Sequence, residues 1–117
     1  MNIQKANKNE AVMFDIDDTL ISSKTGKRKD VVYKFYTLLK DLGYKMIIVT
    51  ARPGFAANVK WTQNQLASHG IVYDQLVFTP AENKGTFKKN SGYKYIVSVG
   101  DLDTDLTDTK YSVKISR

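Results

Sequence analysis

Three carboxylates that follow an apolar run are the residues of this chain best suited to chemistry. Residues 12–14 are apolar, and Asp15, Asp17 and Asp18 come directly after them with no basic residue between. Repulsion among such carboxylates raises the pKa of at least one of them unless a cation supplies compensating charge. A hard divalent cation that prefers oxygen ligands, most simply Mg²⁺, would meet this need. The alternative is a solvated acidic turn, because turns favour aspartate.

A second acidic cluster and one basic segment extend this charge pattern. The second cluster consists of four aspartates: Asp101, Asp103, Asp105 and Asp108. The basic segment directly follows the first carboxylates and contains four cations: Lys24, Lys27, Arg28 and Lys29. With 18 Lys and Arg against 12 Asp and Glu, the net charge of +6 favours polyanionic partners. We therefore expect a basic rim around an acidic, metal-filled centre, unless the lysines only keep a small protein soluble.

Apolar runs of strand length alternate with helical patterns along the chain. The predicted strands are residues 11–16, 46–49, 76–78, 95–99 and 113–115. The predicted helices are residues 30–42, 55–69 and 80–89. We expect Asp30 to cap the first helix, and Gly43 and Gly70 to end the first and second helices. A turn or hairpin is predicted around Gly26.

The strands that position the acidic residues are continuous in apolar character, which predicts a parallel sheet covered by helices on both faces. The predicted fold class is α/β, with a doubly wound, Rossmann-like parallel sheet of about five strands. Ligand sites in such sheets lie at the carboxyl ends of the strands, near the point where the strand order reverses. Three predicted strand ends carry polar residues, at residues 15–19, 50–52 and 100–105.

The composition limits the classes to which the protein can belong. Its 117 residues suffice for one hydrophobic core, and we expect a flexible arm at residues 1–10 and a single domain at residues 11–117. No apolar run reaches the roughly 20 residues that span a bilayer, and residues 1–10 lack the apolar centre of a signal peptide. We therefore expect a soluble, cytoplasmic protein. The absence of cysteine excludes disulfides, thiolate metal sites and cysteine nucleophiles.

Four motifs together resemble those of haloacid dehalogenase (HAD) superfamily phosphatases. They are Asp15-Ile16-Asp17-Asp18-Thr19, Ile47-Ile48-Val49-Thr50, a helix lysine at Lys84, and Gly100-Asp101-Leu102-Asp103-Thr104-Asp105. The resemblance implies that residues 11–117 form one HAD-like catalytic domain. Residues 49–52 and 92–101 are similar to the acid-phosphatase branch, whereas Arg52 and the helix after it are similar to polynucleotide 3′-phosphatase domains. The sequence is compatible with both of these branches of the superfamily.

The resemblance implies roles for four of the aspartates. Asp15 would attack a phosphate monoester and form an aspartyl-phosphate, and Asp17 would act first as general acid and then as general base. Mg²⁺ would be held by Asp15, by the backbone carbonyl of Asp17 and by Asp101. Asp105 would orient waters or the Asp101 carboxylate from outside the ligand set.

The resemblance also implies three residues that bind phosphate. Thr50 would offer its hydroxyl and nearby backbone donors to the transferring phosphoryl group, and Lys84 would supply a fixed positive charge. Lys88 and Lys89 compete with Lys84 for this position, but Lys84 lies at the predicted helix start, nearer the acidic edge of the sheet. Arg52 either contacts a second substrate phosphate or pairs with a carboxylate, and the sequence leaves both open.

The sequence has no room for the cap domain that superfamily members commonly insert. The gaps in which a cap would lie are only residues 20–29 and 79–83. An open site suits a phosphate carried by a large substrate, such as a nucleic-acid end or a protein, unless oligomerisation covers it. Lys24, Lys27, Arg28 and Lys29 could then track a phosphate backbone. Trp61 is interpreted as a packed or half-buried surface residue rather than a base-stacking platform.

Three functions remain in competition at this point. The leading hypothesis is a Mg²⁺-dependent phosphomonoester hydrolase that acts through an aspartyl-phosphate. A non-catalytic, polyanion-binding module with the same fold is the first alternative. A receiver-like phosphoacceptor domain fits less well, because its acceptor aspartate would end the third strand and residues 76–79 contain no aspartate. The oligomeric state is left open.

Overall fold

Five parallel strands form a single sheet in the computed structural model, which describes residues 1–116. The strands are β1 (Glu10–Phe14), β2 (Lys45–Thr50), β3 (Gln75–Phe78), β4 (Lys94–Gly100) and β5 (Tyr111–Lys114). Their order across the sheet is β3-β2-β1-β4-β5, and every neighbouring pair is parallel. The strand order reverses between β1 and β4, so the carboxyl ends of these two strands flank the switch point at which such sheets bind ligands.

Three helices cover the two faces of the sheet. They are α1 (Asp30–Asp41), α2 (Ala56–Ser68) and α3 (Lys84–Asn90), and short 3₁₀ turns lie at Ala81–Asn83 and Asp103–Asp105. Buried residues of α1 and α2, such as Tyr36 and Leu66, pack with one face of the sheet. Phe87 of α3 packs against the buried residues of the other face. The switch point is therefore bounded by helices from both layers.

The alternation of side chains along β1 determines the direction of the Asp15 carboxylate. Val12 and Phe14 belong to the core on the side of α1, where the Phe14 ring meets Tyr36 at 4.9 Å between centroids. Ala11 and Met13 belong to the opposite core, on the side of α3. Because side chains alternate along a strand, the next position in the second set is Asp15. β1 thus directs Asp15 toward α3.

Strand β4 contains a bulge where it pairs with β1. Ala11 pairs with Tyr95 but Val12 pairs with Val97, so Ile96 is an extra residue without a counterpart on β1. Ile96 and Val97 consequently both pack in the core on the α1 side.

The predicted α/β fold, its five parallel strands and its helices on both faces are confirmed, and no cap domain is present among residues 1–116. Gly43 and Gly70 follow α1 and α2 with φ of 93° and 70°, as expected of residues that end a helix. The fifth strand begins two residues earlier than predicted, at Tyr111, and ends at Lys114.

The prediction that Asp30 caps α1 is wrong. Asp30 is the first helical residue, and Lys29 occupies the cap position without a side-chain hydrogen bond. The Asp30 carboxylate instead accepts a hydrogen bond from Nε of Arg28 at 2.7 Å. Its place in the first turn still suits the helix dipole, which favours negative charge at that end.

The residues before β1 make specific contacts with the body of the fold. The Ala6 N–H donates to the Leu42 carbonyl at 2.8 Å, and the Tyr44 hydroxyl donates to the Gln4 carbonyl at 2.7 Å. The predicted flexibility of residues 1–10 stays a prediction, although Glu10 belongs to β1. Within the part of the chain that is described, no helix has the length and apolar character needed to cross a membrane.

Candidate active site

One lysine joins two buried carboxylates at the switch point. Nζ of Lys84 lies 3.0 Å from Oδ1 of Asp15 and 2.6 Å from Oδ1 of Asp105. All three side chains are buried. The Thr19 hydroxyl lies 3.5 Å from Oδ2 of Asp15, at the limit of a hydrogen bond. β1 contributes one acid, the loop after β4 the second, and α3 the cation between them.

Burial and pairing shape the ionisation of this group. Burial raises the pKa of Asp15 to about 7, although the Lys84 ammonium acts in the opposite direction. Burial acts to lower the pKa of Lys84, but the negative charges of Asp15 and Asp105 outweigh it, and the net pKa lies above its ordinary value. The ammonium is therefore retained as a fixed positive charge, whereas Asp15 is costly to ionise without further compensation.

The loop after β4 packs closely around the carboxylate of Asp105. Oδ2 of Asp105 accepts a hydrogen bond from the Leu102 N–H at 3.2 Å. A Cβ on Gly100 would lie only 2.2 Å from the same carboxylate oxygen. Glycine is therefore required at the start of the Gly-Asp-x-x-x-Asp motif because the Asp105 side chain occupies the space that any other side chain would need.

The acidic centre fits a hard divalent cation. Asp15, Asp101 and Asp105 are all buried, and each offers a carboxylate oxygen within 4.8 Å of the others. Oxygen is the preferred ligand atom of Mg²⁺ and Ca²⁺, whereas zinc sites commonly use nitrogen or sulfur. Lys84 pairs with Asp15 and Asp105, and a bound cation would further relieve the repulsion among the three carboxylates. The structure thus brings together the carboxylates of two expected ligands, Asp15 and Asp101, with that of Asp105, which was expected outside the ligand set.

Asp17 faces a different partner. Its two carboxylate oxygens accept hydrogen bonds from Nη2 and Nε of Arg52 at 2.8 and 3.0 Å, which is a bidentate pair. Of the two roles left open for Arg52, the structure contains the carboxylate pair. Nη1 of Arg52 also donates to Thr62 and to Gln65 on α2, at 3.2 and 2.8 Å. The guanidinium is therefore anchored on both sides.

The two residues that anchor Arg52 were missed by sequence reasoning. Thr62 and Leu66 lie four residues apart, on the face of α2 that is buried. A buried threonine beside a core leucine is the signal that a polar partner lies nearby, because buried polar groups require hydrogen bonds.

Thr50 is the last residue of β2 and is buried. Its hydroxyl oxygen accepts a hydrogen bond from the Arg52 N–H at 3.1 Å. The neighbouring residues Ala51 and Arg52, rather than Thr50, line the cavity of the site. In the structure the Thr50 side chain thus supports the loop that presents Arg52, and its predicted contact with phosphate stays a prediction.

Asp18 belongs to the turn rather than to the acidic centre. Its backbone has φ of 60°, in the left-handed region that aspartate tolerates better than most residues. Its carboxylate accepts hydrogen bonds from both the N–H and the hydroxyl of Ser23. The acidic-turn interpretation therefore applies to Asp18, while Asp15 and Asp17 are held by cations.

The three candidate lysines of α3 have different surroundings. Lys88 lies one turn beyond Lys84 on the same buried face, and its ammonium donates to Oγ of Ser98 and to the carbonyls of Asp105 and Thr107. Burial lowers the pKa of Lys88 to about 8. The Lys89 side chain is 69% exposed. Lys84 alone of the three contacts the acidic centre through side chains, and Lys88 fixes the loop that carries Asp105.

The basic segment after β1 divides into two groups. Arg28 stacks on the Tyr33 ring at 3.8 Å and donates to the His69 carbonyl at 2.6 Å. Nζ of Lys29 donates to the Asp18 carbonyl at 3.2 Å and also to a carbonyl near the end of the chain. Lys24 and Lys27 are exposed. Arg28 and Lys29 therefore have structural contacts, and Lys24 and Lys27 present their charge to solvent.

A small cavity opens above the acidic centre. It measures about 250 Å³ and is lined by Asp15, Asp17, Asp18, Ala51, Arg52, Ala81, Lys84, Asp101 and Leu102. Pockets for drug-sized ligands occupy about 300–1,000 Å³. The cavity is therefore of a size for a small group such as phosphate, with the remainder of a ligand lying outside it.

Comparison with known proteins identifies the fold. No family model and no curated protein matches the sequence. A chain in the solved structure of the Pnkp1/Rnl/Hen1 complex is similar, with a TM-score of 0.67 and 21% identity. The similarity covers 88% of this chain and 42% of that chain, so this chain spans less than half the length of its structural neighbour. At this identity the comparison shows a shared α/β fold.

The raised pKa of Asp15 predicts a specific dependence of stability on pH. In the folded protein the pKa of Asp15 is about 7, above the ordinary value of 3.8. Below pH 3.8 the carboxyl group is protonated in both the folded and the unfolded state, so it does not lower stability there. Above pH 7 it is ionised in both states, and the full cost of burying the charge lowers the stability. In EDTA above pH 7, Asp15→Asn should be more stable than the native chain, on the order of 2–4 kcal/mol. The difference should shrink as the pH falls. Urea unfolding across this range measures it.

Asp103→Asn is the matched control, because the Asp103 side chain is 88% exposed. Its stability should follow that of the native chain at every pH. An Asp15→Asn variant that is no more stable than the native chain above pH 7 would contradict the assignment of a costly buried charge.

The contrast between Lys88 and Lys89 gives a second prediction. Lys88→Met would leave three acceptors without their donor, two of them buried, which should lower the free energy of unfolding by about 2–4 kcal/mol. Lys89→Met changes an exposed side chain and should alter stability by less than about 0.5 kcal/mol. Thermal and urea unfolding of both variants checks this, and equal effects would mean that Lys88 does not anchor the loop.

Proposed function

We propose that the chain is a Mg²⁺-dependent phosphomonoesterase of the HAD type that acts through an aspartyl-phosphate on Asp15. The observation that carries the proposal is the convergence of Asp15, Lys84 and Asp105 at the switch point of the sheet, with Asp101 beside them. These residues come from separate motifs of the sequence, and their convergence supports phosphoryl transfer to a carboxylate.

In the proposed first step, a carboxylate oxygen of Asp15 attacks phosphorus in line with the leaving oxygen. The ester P–O bond breaks, and the Asp17 carboxylic acid gives its proton to the departing alcohol. In the second step, the Asp17 carboxylate takes a proton from water, whose oxygen attacks phosphorus. The bond between phosphorus and Asp15 then breaks, which releases inorganic phosphate and restores the enzyme.

The positions of the surrounding side chains support these roles. Lys84 fixes one oxygen of Asp15 and places a positive charge beside the transferring group. The contact with Arg52 holds Asp17 at the wall of the cavity that Asp15 also lines, and one of its two hydrogen bonds must be released when Asp17 carries the proton of the first step. We assign the metal ligands as Asp15, the Asp17 carbonyl and Asp101, with Asp105 in a supporting position. When bound, Mg²⁺ would neutralise charge on the phosphoryl oxygens.

The proposed substrate is a phosphate monoester on a nucleotide or macromolecule. A cavity of about 250 Å³ with no covering domain among residues 1–116 accommodates the phosphate and leaves the rest of the substrate outside. The net charge of +6 favours a polyanion, and the exposed Lys24 lies beside Asp18, which also lines the cavity. The fold similarity to a chain of the Pnkp1/Rnl/Hen1 complex gives further support to a nucleotide-related substrate.

The test is phosphate release from single-stranded oligonucleotides with a 3′ or 5′ phosphate, from mononucleotides and from glycerol phosphate. The native chain should release phosphate with Mg²⁺ and stop in EDTA. Asp15→Asn should lose on the order of 10³-fold or more of the rate, because the amide that replaces the carboxylate is not a nucleophile toward phosphorus.

Asp103→Asn serves as the matched control within the second acidic motif and should retain the native rate, since its side chain is 88% exposed and pairs with Lys114. Native activity in EDTA or in Asp15→Asn would refute the mechanism. Binding of oligonucleotides without any release of phosphate would favour the non-catalytic module instead.

A further inference from the structure

An exposed indole lies beside the mouth of the site. Trp61 on α2 is 58% exposed, which is more than expected of a packed or half-buried side chain. Its ring centroid lies 5.4 Å from Cζ of Arg52, within the range of a cation–π contact. Because Arg52 lines the cavity, the indole lies one side chain beyond the place that the substrate phosphate would occupy.

Arg52 gives this ring a fixed relation to the acidic centre. The guanidinium is held by Asp17 on one side and by Thr62 and Gln65 on the other. Trp61 and Thr62 are neighbours on α2, so the same helix carries both the ring and an anchor of the cation. The indole and the guanidinium are thus positioned together before any ligand binds.

We propose that Trp61, with the Arg52 guanidinium, forms a stacking site for the nucleobase next to the phosphate of a single-stranded nucleic-acid end. The inference rests on the proposed function, because it requires the phosphate to occupy the cavity. Stacking on an aromatic side chain suits any base, since every base has a π-face. The net charge of +6 attracts the backbone in the same sequence-independent way.

The separation between Trp61 and the cavity favours a nucleotide over a phosphotyrosyl peptide. In phosphotyrosine the ring is bonded directly to the phosphate oxygen, so it would lie at the cavity wall next to the scissile bond. In a nucleotide the sugar separates the base from the phosphate. That spacing allows the base to pass Arg52 and reach the indole, which contacts the guanidinium but is not among the residues that line the cavity.

Trp61 provides its own binding signal, because the chain contains a single tryptophan. In Asp15→Asn with Mg²⁺, single-stranded oligonucleotides phosphorylated at either end should quench its fluorescence. The same oligonucleotides with an abasic terminal nucleotide should bind about 5- to 150-fold more weakly and quench little. Inorganic phosphate should not quench.

This measurement does not depend on turnover, so it separates failure of the stacking site from failure of the proposed enzyme. Equal quenching by normal and abasic oligonucleotides would overturn the stacking site whether or not phosphate is released in other assays. Selective quenching by a phosphotyrosyl peptide would overturn the nucleobase assignment.

A kinetic experiment tests the same proposal. It measures the ratio of kcat/KM for a phosphorylated oligonucleotide to kcat/KM for glycerol phosphate. Trp61→Ala should lower this ratio about 5- to 150-fold, and Trp61→Phe should restore part of it because a ring is retained. Val72→Ala is the control, since Val72 is an exposed apolar residue before β3 and away from the cavity. An unchanged ratio in Trp61→Ala would contradict the proposal.

Discussion

The buried ion pair between Lys84 and its two carboxylates is the interaction on which the site depends. Asp15 directly follows β1 and Asp105 lies in the loop after β4, so the adjacent central strands bring two negative groups into one buried region. Burying such charges is costly unless they are paired and hydrogen-bonded. The Lys84 ammonium, 3.0 and 2.6 Å from the two carboxylates, meets that need. Removing the lysine of such a group, which leaves both buried carboxylates without their cation, typically costs about 3–5 kcal/mol.

The position of α3 follows from this constraint. Lys84 is the first residue of the helix, and the short segment between β3 and α3 brings it to the edge where the carboxylates lie. Lys88, one turn later, reaches carbonyls of the loop that carries Asp105. The same helix face therefore fixes both the charge of the site and the backbone of the acidic loop.

A second cation, Arg52, connects the helical layer on the other face of the sheet to the edge at which the carboxylates lie. Arg52 joins Asp17 after β1 to α2, and Trp61 of that helix lies against its guanidinium. Each helical layer thus holds one cation at the cavity, because α3 contributes Lys84 and α2 anchors Arg52, which lies in the loop after β2. A basic protein can in this way keep an acidic centre whose three carboxylates could also hold a metal ion.

The sequence predicted the fold because apolar runs, helical spacing and glycine ends all indicated the same alternation of strands and helices. It also predicted the edge at which the carboxylates meet, because strand ends in a parallel sheet lie together. The partner of Arg52 could not be chosen from sequence, since a long side chain reaches in several directions. The role of Lys88 was missed, although its spacing of four from Lys84 places both on one helix face.

Asp30 shows the limit of local reasoning about helix ends. Its residue type suits a cap, but the nearby Arg28 offers a stronger, charged partner for its carboxylate and the helix starts one residue earlier.

The central claim is that the carboxylate held by Lys84 becomes phosphorylated. The most direct measurement is acid quenching during turnover of a phosphorylated oligonucleotide, followed by mass analysis of the peptide that contains residue 15. The account predicts one phosphoryl group on Asp15 when Mg²⁺ is present and none in EDTA. Turnover with an unmodified Asp15, or with the phosphoryl group on another residue, would contradict it.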